Sequence, residues 1–293
     1  MMPQTLVLIL LALLALGAPL AVGVVLGVDR QLSAAVQRRL GPPLLQPWYD
    51  LTKLANKVAS PADRLMAALV VAQAGLAMAA LVLVAVGGDL VVAVLLLGAG
   101  HVMFILAASS VESPYAQMGA SREIVLLVGR EPLLLLVAIA YAQVVGTPLV
   151  RDIVAHGPLV TQVPTLGITC AVLLGIALRK SPWDIASSHH AHQELVKGST
   201  TEMAGRWLAV AELGHWYEVA FIVVVIWLAA GSVLPLGLLL VAAAWAVVLL
   251  IDNSVPRATW RGALGMAWGL GGFGAVAALL TIALSGAGGG GLP

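Results

Sequence analysis

The chain has 293 residues, 61% of them hydrophobic and only 10% charged, with a mean hydropathy of +1.02. A soluble domain carries about 25% charged residues, and no water-soluble fold of this length could bury so much apolar surface. The formal net charge of +1 leaves no basic footprint for nucleic acid. The single cysteine, Cys170, can neither close an internal disulfide nor hold an iron–sulfur cluster, which needs about four thiolates.

A bilayer core of ~30 Å asks for about 20 apolar residues per helix. The apolar runs here are continuous rather than alternating, which predicts membrane helices and not an outer-membrane barrel. The opening run, 4–28, lacks a basic leader and is too long for a typical signal peptide, so it is expected to be a retained first span. A polar loop, 29–64, follows. Within it, 46-QPWYDLTKLANKVAS-60 sets Leu51, Leu54 and Val58 on one helical face and Asp50, Lys53 and Lys57 elsewhere. That pattern predicts an amphipathic helix at the membrane interface, with Trp48 and Tyr49 as anchors and Pro47 in its first turn, or a docking surface for a soluble partner.

Spans 65–87 and 90–110 form a hairpin across Gly87, Gly88 and Asp89. Loop 111–121 leads into span 122–146, then span 163–180, which glycine and threonine dilute. Loop 181–206 precedes spans 207–230 and 233–251, and loop 252–261 precedes span 262–284 and a glycine-rich tail. The expected fold is an all-α polytopic membrane protein of about eight spans. Thirteen of the fifteen Lys and Arg residues fall on one side, in its loops or at the span ends beside them. That side is expected to be cytoplasmic, with both termini outward.

Ionisable groups inside membrane helices cost several kcal/mol and are kept where they pair, meet water or do work. Span 122–146 carries Arg122 and Glu123 near its start, then Arg130 and Glu131 two turns deeper, followed by Pro132. These form either a site or a structural ion pair. Span 207–230 carries Glu212, His215 and Glu218 at three-residue steps, either a titrating face or a polar seam. Glu112 ends a span and is a site residue or an ordinary exposed end. His101 is expected to make a helix–helix contact, and 98-GAGHVMF-104 is expected to be packing.

The densest polar window is 181-SPWDIASSHHAHQELVKGSTTEMAG-205. Its His189, His190 and His192 match no zinc spacing, having neither an H-E-x-x-H pattern nor a cysteine partner. The window, with Asp184, Glu194 and Glu202, is either a solvated loop or an ordered loop that contacts a partner or feeds protons inward.

Four blocks together resemble a known family: 38-RRLGPPLLQPWYDLTKLANK-57, 113-SPYAQMGASREIVLLVGREPLLLL-136, 181-SPWDIASSHHAHQELVKGSTTEMAG-205 and 211-AELGHWYE-218. They resemble the membrane subunit of group 4 energy-converting nickel–iron hydrogenases, homologous to complex I subunit 1. GPPLLQP stands where complex I usually has a GPNR-type sequence, and HHAHQELVKG looks like the ferredoxin-linked and CO-induced hydrogenase branch. Met203 and Ala204 depart from the Tyr and Ser frequent in the family, so a role for those hydroxyls does not carry over.

The resemblance implies a multi-pass subunit of the inner membrane that binds no cofactor itself. The nickel–iron centre and iron–sulfur clusters would sit in partner subunits. The implied partners are hydrogenase large and small subunits, an iron–sulfur ferredoxin-like subunit, an antiporter-like membrane subunit and the lipid bilayer. Glu131, Asp184, Glu194, Glu202 and Glu212 match the family's acidic positions. With Glu112, Arg122, Glu123, Arg130, His215 and Glu218 they form the expected ion pathway. Arg38, Arg39, Trp48, Tyr49, Asp50 and the three window histidines are expected at partner contacts. A quinone-reducing complex I subunit, a stand-alone transporter and a purely structural anchor are the competing readings.

Overall fold

The computed structural model describes residues 4–58, 64–186 and 198–288. Among these residues the regular structure is helical, with no strand. The long apolar elements are α1 (Gln4–Val36), α3 (Arg64–Ala85), α4 (Leu90–Ser109) and α5 (Pro114–Val145). They continue with α8 (Gly205–Leu228), α9 (Leu234–Ser254), and α10 (Trp260–Met266) joined through a π-helical stretch, Ala267–Gly272, to α11 (Phe273–Gly288). The shorter helices are α2 (Gln46–Ala55), α6 (Val150–His156) and α7 (Leu166–Ala177).

Local chemistry sets the ends. Asp89 caps α4 by accepting from the amides of Val91 and Val92 at 2.8 and 3.1 Å. Pro114 opens α5, where its missing amide costs nothing, and Gly146 closes it in the left-handed conformation at φ +86°. α5 begins well before the span expected from hydropathy, because helix carries on past the apolar stretch into the polar end of the bundle.

Among the described residues, seven helical segments are long and apolar enough to cross a membrane. The structure departs from the sequence reading at the expected span 163–180. There α7 has only 12 residues, which at 1.5 Å each falls well short of a ~30 Å core. The rest of the pass is made by a cap of α6 and the turn Leu159–Thr161, pinned to the end of α8 by the Val160 amide donating to the Ala229 carbonyl at 3.0 Å. The α3–α4 turn joins the same end through the Asp89–Leu149 bridge. At the opposite end Lys180, just past α7, meets α1 and α9. The short helix therefore still carries the chain from one end of the bundle to the other.

Helix α8 is the centre: 72% of its apolar window is buried, against 17% for α9. Small residues let its neighbours close in. A Cβ on Gly214 of α8 would lie 2.9 Å from Gln73 of α3, and one on Gly100 of α4 would lie 3.2 Å from the Gln73 carbonyl. His215 and Glu218 of α8 are thus held away from the surface of the bundle.

Candidate functional site

The site grows from three helices that each carry polar residues on an inward face. On α5, Glu123 and Arg130 are two turns apart and share a face, and both are buried to 2% exposure. On α4, Gly98 and His101 are three apart and also neighbours. On α8, Glu212, His215 and Glu218 step by three, so the face turns gradually from the polar end of the bundle toward its interior.

The helices bring these groups into one network. The Arg130 guanidinium is the hub: it pairs with Glu218 of α8 and with its own neighbour Glu131. His101 lies between two carboxylates, its Nε2 3.4 Å from Glu123 and its Nδ1 3.7 Å from Glu218. His215 Nδ1 lies 3.8 Å from the same Glu218 oxygen. The Ser199 hydroxyl donates to Glu123 at 3.1 Å. Glu131 rests on bare α4 backbone, since a Cβ on Gly98 would lie 2.8 Å from its Oε2.

Two carboxylates, Glu131 and Glu218, thus share one guanidinium, and a third, Glu123, joins them through His101 in a largely buried interior. Uncompensated buried charge is expensive. Protons on the carboxylates or the imidazoles would offset that cost.

The network opens toward the polar end. A cleft of about 760 Å³ lies between α1, α2, α8 and the segment after α7, and both His215 and Glu212 line it. Its floor is a second ion cluster. Lys180 reaches Asp29 of α1 at 2.7 Å and Asp252 of α9 at 2.9 Å. Asp29 also accepts from the Trp245 indole at 2.9 Å, and Asp252 from the Ser181 amide at 3.0 Å. Asp184 sits on the same wall, 3.8 Å from Arg257. Burial pushes the Asp184 carboxyl above its usual range, with Arg257 opposing.

The expected site residues divide accordingly. Glu123, Arg130, Glu131, His215 and Glu218 meet in the network, while Glu212, Asp184, Asp50 and Arg39 line the cleft. Arg122 donates to the Ile185 carbonyl at 3.3 Å. Glu112 and Glu202 are exposed and stand apart from the network. His189, His190, His192 and Glu194 lie outside the described residues.

Helix α2 does form, but it ends at Ala55 and leaves Val58 95% exposed beyond it. Trp48 turns inward onto Trp216, ring edge to face at 5.2 Å, rather than outward to lipid, while Tyr49 is exposed. Arg38, also exposed, takes a left-handed backbone at φ +54°. Met203 is buried in apolar packing, so the family's hydroxyl position is filled here by core.

The expected His101 helix–helix contact is present, but its carboxylate partners and several further participants were not foreseen from the sequence. The 98-GAGHVMF-104 stretch is not mere packing: Gly98 seats Glu131 and His101 sits between two carboxylates. The only signal was an imidazole inside an apolar run. Asp29, Lys180 and Asp252 each looked like a span end. Among the described residues no group of three His, Cys, Asp or Glu side chains could hold a metal ion, and Cys170 is buried in packing.

The fold and site define a class: a multi-pass membrane protein whose buried charge network opens into a polar cleft at one end. The NADH dehydrogenase family profile matches residues 7–283, and the chain belongs to that family. It is 32% identical over 208 residues to Hydrogenase-4 component C of Escherichia coli, covering 64% of each chain. That match spans just under two thirds of the relative's length. It is 30% identical over 278 residues to Formate hydrogenlyase subunit 4 of the same organism, covering 80% of this chain and 89% of that one. The fold is shared with a chain in the structure of the membrane-bound sulfane sulfur reductase, an archaeal respiratory membrane complex. The TM-score is 0.78 at 24% identity, over 92% of this chain and 98% of that one.

Proposed function

We propose that this chain is the membrane subunit of an energy-converting nickel–iron hydrogenase, coupling reduction of protons to H2 with movement of protons or sodium ions across the membrane. The names of the two Escherichia coli relatives support the hydrogenase setting. The observation that carries the coupling role is the buried network, in which Glu131 and Glu218 share Arg130 and His101 links Glu218 to Glu123. A proton arriving in the cleft meets Glu212 and His215 first, then Glu218, and from there His101 and Glu123, while the fixed Arg130 cation holds Glu131 beside them.

Redox chemistry belongs to the partners: hydrogenase large and small subunits with the nickel–iron centre and iron–sulfur clusters, and a ferredoxin-like subunit. Cys170 alone offers no cluster ligand set. A charge change at the cleft alters proton affinity at the nearest groups, and coupled groups pass the change on as joint titrations. An antiporter-like subunit would continue the path. The basic end faces the cytoplasm.

The test is the complex reconstituted in liposomes, with ions moved per H2 evolved as the readout. Glu218→Gln is expected to lower that ratio about tenfold. A ratio equal to the wild type would overturn the coupling role and leave a structural anchor.

One observation favours a second reading, a quinone-reducing assembly. The cleft's volume of about 760 Å³ suits a small molecule, and Leu51, Leu54 and Trp216 give it an apolar side. Quinone-dependent turnover blocked by quinone-site inhibitors would select that reading.

A further inference from the structure

Arg179 lies at the end of the expected span 163–180, and the structure singles it out. It stands two residues past α7 and takes a left-handed backbone, φ +51°, which is strained for a non-glycine residue. Strain of this kind persists only where the surroundings hold it. Here the next residue does so: Lys180 is buried and clamped by Asp29 and Asp252, and the Ser181 amide is bound to Asp252.

With its neighbour fixed on one side, Arg179 is turned to the other. Its guanidinium carbon lies 5.9 Å from the centroid of the Phe104 ring, over the ring face. Phe104 in turn packs against His101, ring centroids 6.1 Å apart. The half-buried Arg179 also lines the cleft, and its charge acts on the Glu123 carboxylate. Among the described residues no carboxylate is recorded within ion-pair distance of it. The contacts therefore run without a gap from cleft wall to network: Arg179, Phe104, His101, then Glu123 and Glu218.

We propose that Arg179 is the positioning residue that couples the cleft to the buried network. Its guanidinium is shared between the His101–Glu123 pair and any negative charge that enters the cleft. The Lys180 clamp and the Phe104 ring hold it at that branch point. Negative charge in the cleft draws the cation outward and weakens its hold on Glu123. Loss of that charge returns it. This deepens the coupling role proposed above and rests on it.

The experiment is a double-mutant cycle of Arg179→Gln and Glu123→Gln in the full complex, read as ions moved per H2. Arg179→Gln is expected to lower the ratio about tenfold, and Arg179→Lys to recover it to within about threefold. The double variant is expected to be no worse than Glu123→Gln alone, since both act through one interaction. A ratio within twofold of wild type for Arg179→Gln, or effects that simply multiply, would overturn the proposal.

The same cycle on chaotropic unfolding of the purified chain needs no hydrogenase activity. There the two substitutions are expected to couple by about fivefold in the unfolding constant. If the wild-type complex moves no ions, the functional reading fails and this second readout decides Arg179 alone. Independent effects in it would remove the Arg179–Glu123 link.

Discussion

Replacing Arg130 by Met tests whether the buried network is organised around a single cation. The substitution keeps an unbranched stem of similar length, so little packing is lost. What disappears is the one guanidinium that meets both Glu131 and Glu218. Arg130 is 2% exposed and the Glu218 side chain 9%, so water cannot replace it. Removing one partner of a buried ion pair costs roughly 3–5 kcal/mol, because the other charge is left uncompensated.

Glu218→Gln in the same background removes one of the two orphaned carboxylates. It is expected to recover about half of that loss, since contacting residues are not additive. Unfolding in mixed micelles, followed by tryptophan fluorescence, measures both variants. A loss below about 1 kcal/mol for Arg130→Met, or a Glu218→Gln change that adds to the damage, would refute the reasoning.

At the cleft floor, Lys180→Met is expected to destabilise the chain by roughly 3–5 kcal/mol, with Asp29→Asn partly restoring it, read in the same unfolding assay. Gly119→Ala brings a methyl to 2.1 Å from the Ser199 amide nitrogen. It is expected to push the 198–200 turn off α5 and break the Ser199–Glu123 hydrogen bond, giving faster proteolysis of the loop than in wild type. Asp184 has a folded-state pKa above its usual 3.8. The unfolded chain therefore loses this proton first, and stability falls as pH rises from 3.8 to the folded value, then stays level. Asp184→Asn is expected to gain melting temperature relative to wild type across that window, and a difference independent of pH would contradict the assignment.

Span positions were mostly readable because bilayer thickness and apolar run length are linked by one number, the helix rise. The exception, 163–180, shows where that link stops. Hydropathy counts apolar residues but does not see that a cap of α6 and a turn at Leu159–Thr161 can complete a pass begun by a 12-residue helix. Glu123, Arg130, Glu131, His215 and Glu218 stood out as site candidates because charge inside an apolar helix is costly wherever it faces. Glu112 and Glu202 are exposed on this chain and outside the buried network, since a carboxylate beside a span end is not forced inward.

The sequence by itself determined that this is a helical membrane protein with its cations gathered at one end and carboxylates inside its spans. Composition and periodicity settle those points because the bilayer acts on each residue separately. Only the tertiary structure decided which carboxylates share Arg130, that His101 stands between two of them, and that Asp29, Lys180 and Asp252 form one cluster. Those are properties of pairs far apart in the chain. They depend on how closely helices approach, which glycines such as Gly98 and Gly214 set, and Coulomb interactions in a dry interior follow distance rather than order along the sequence.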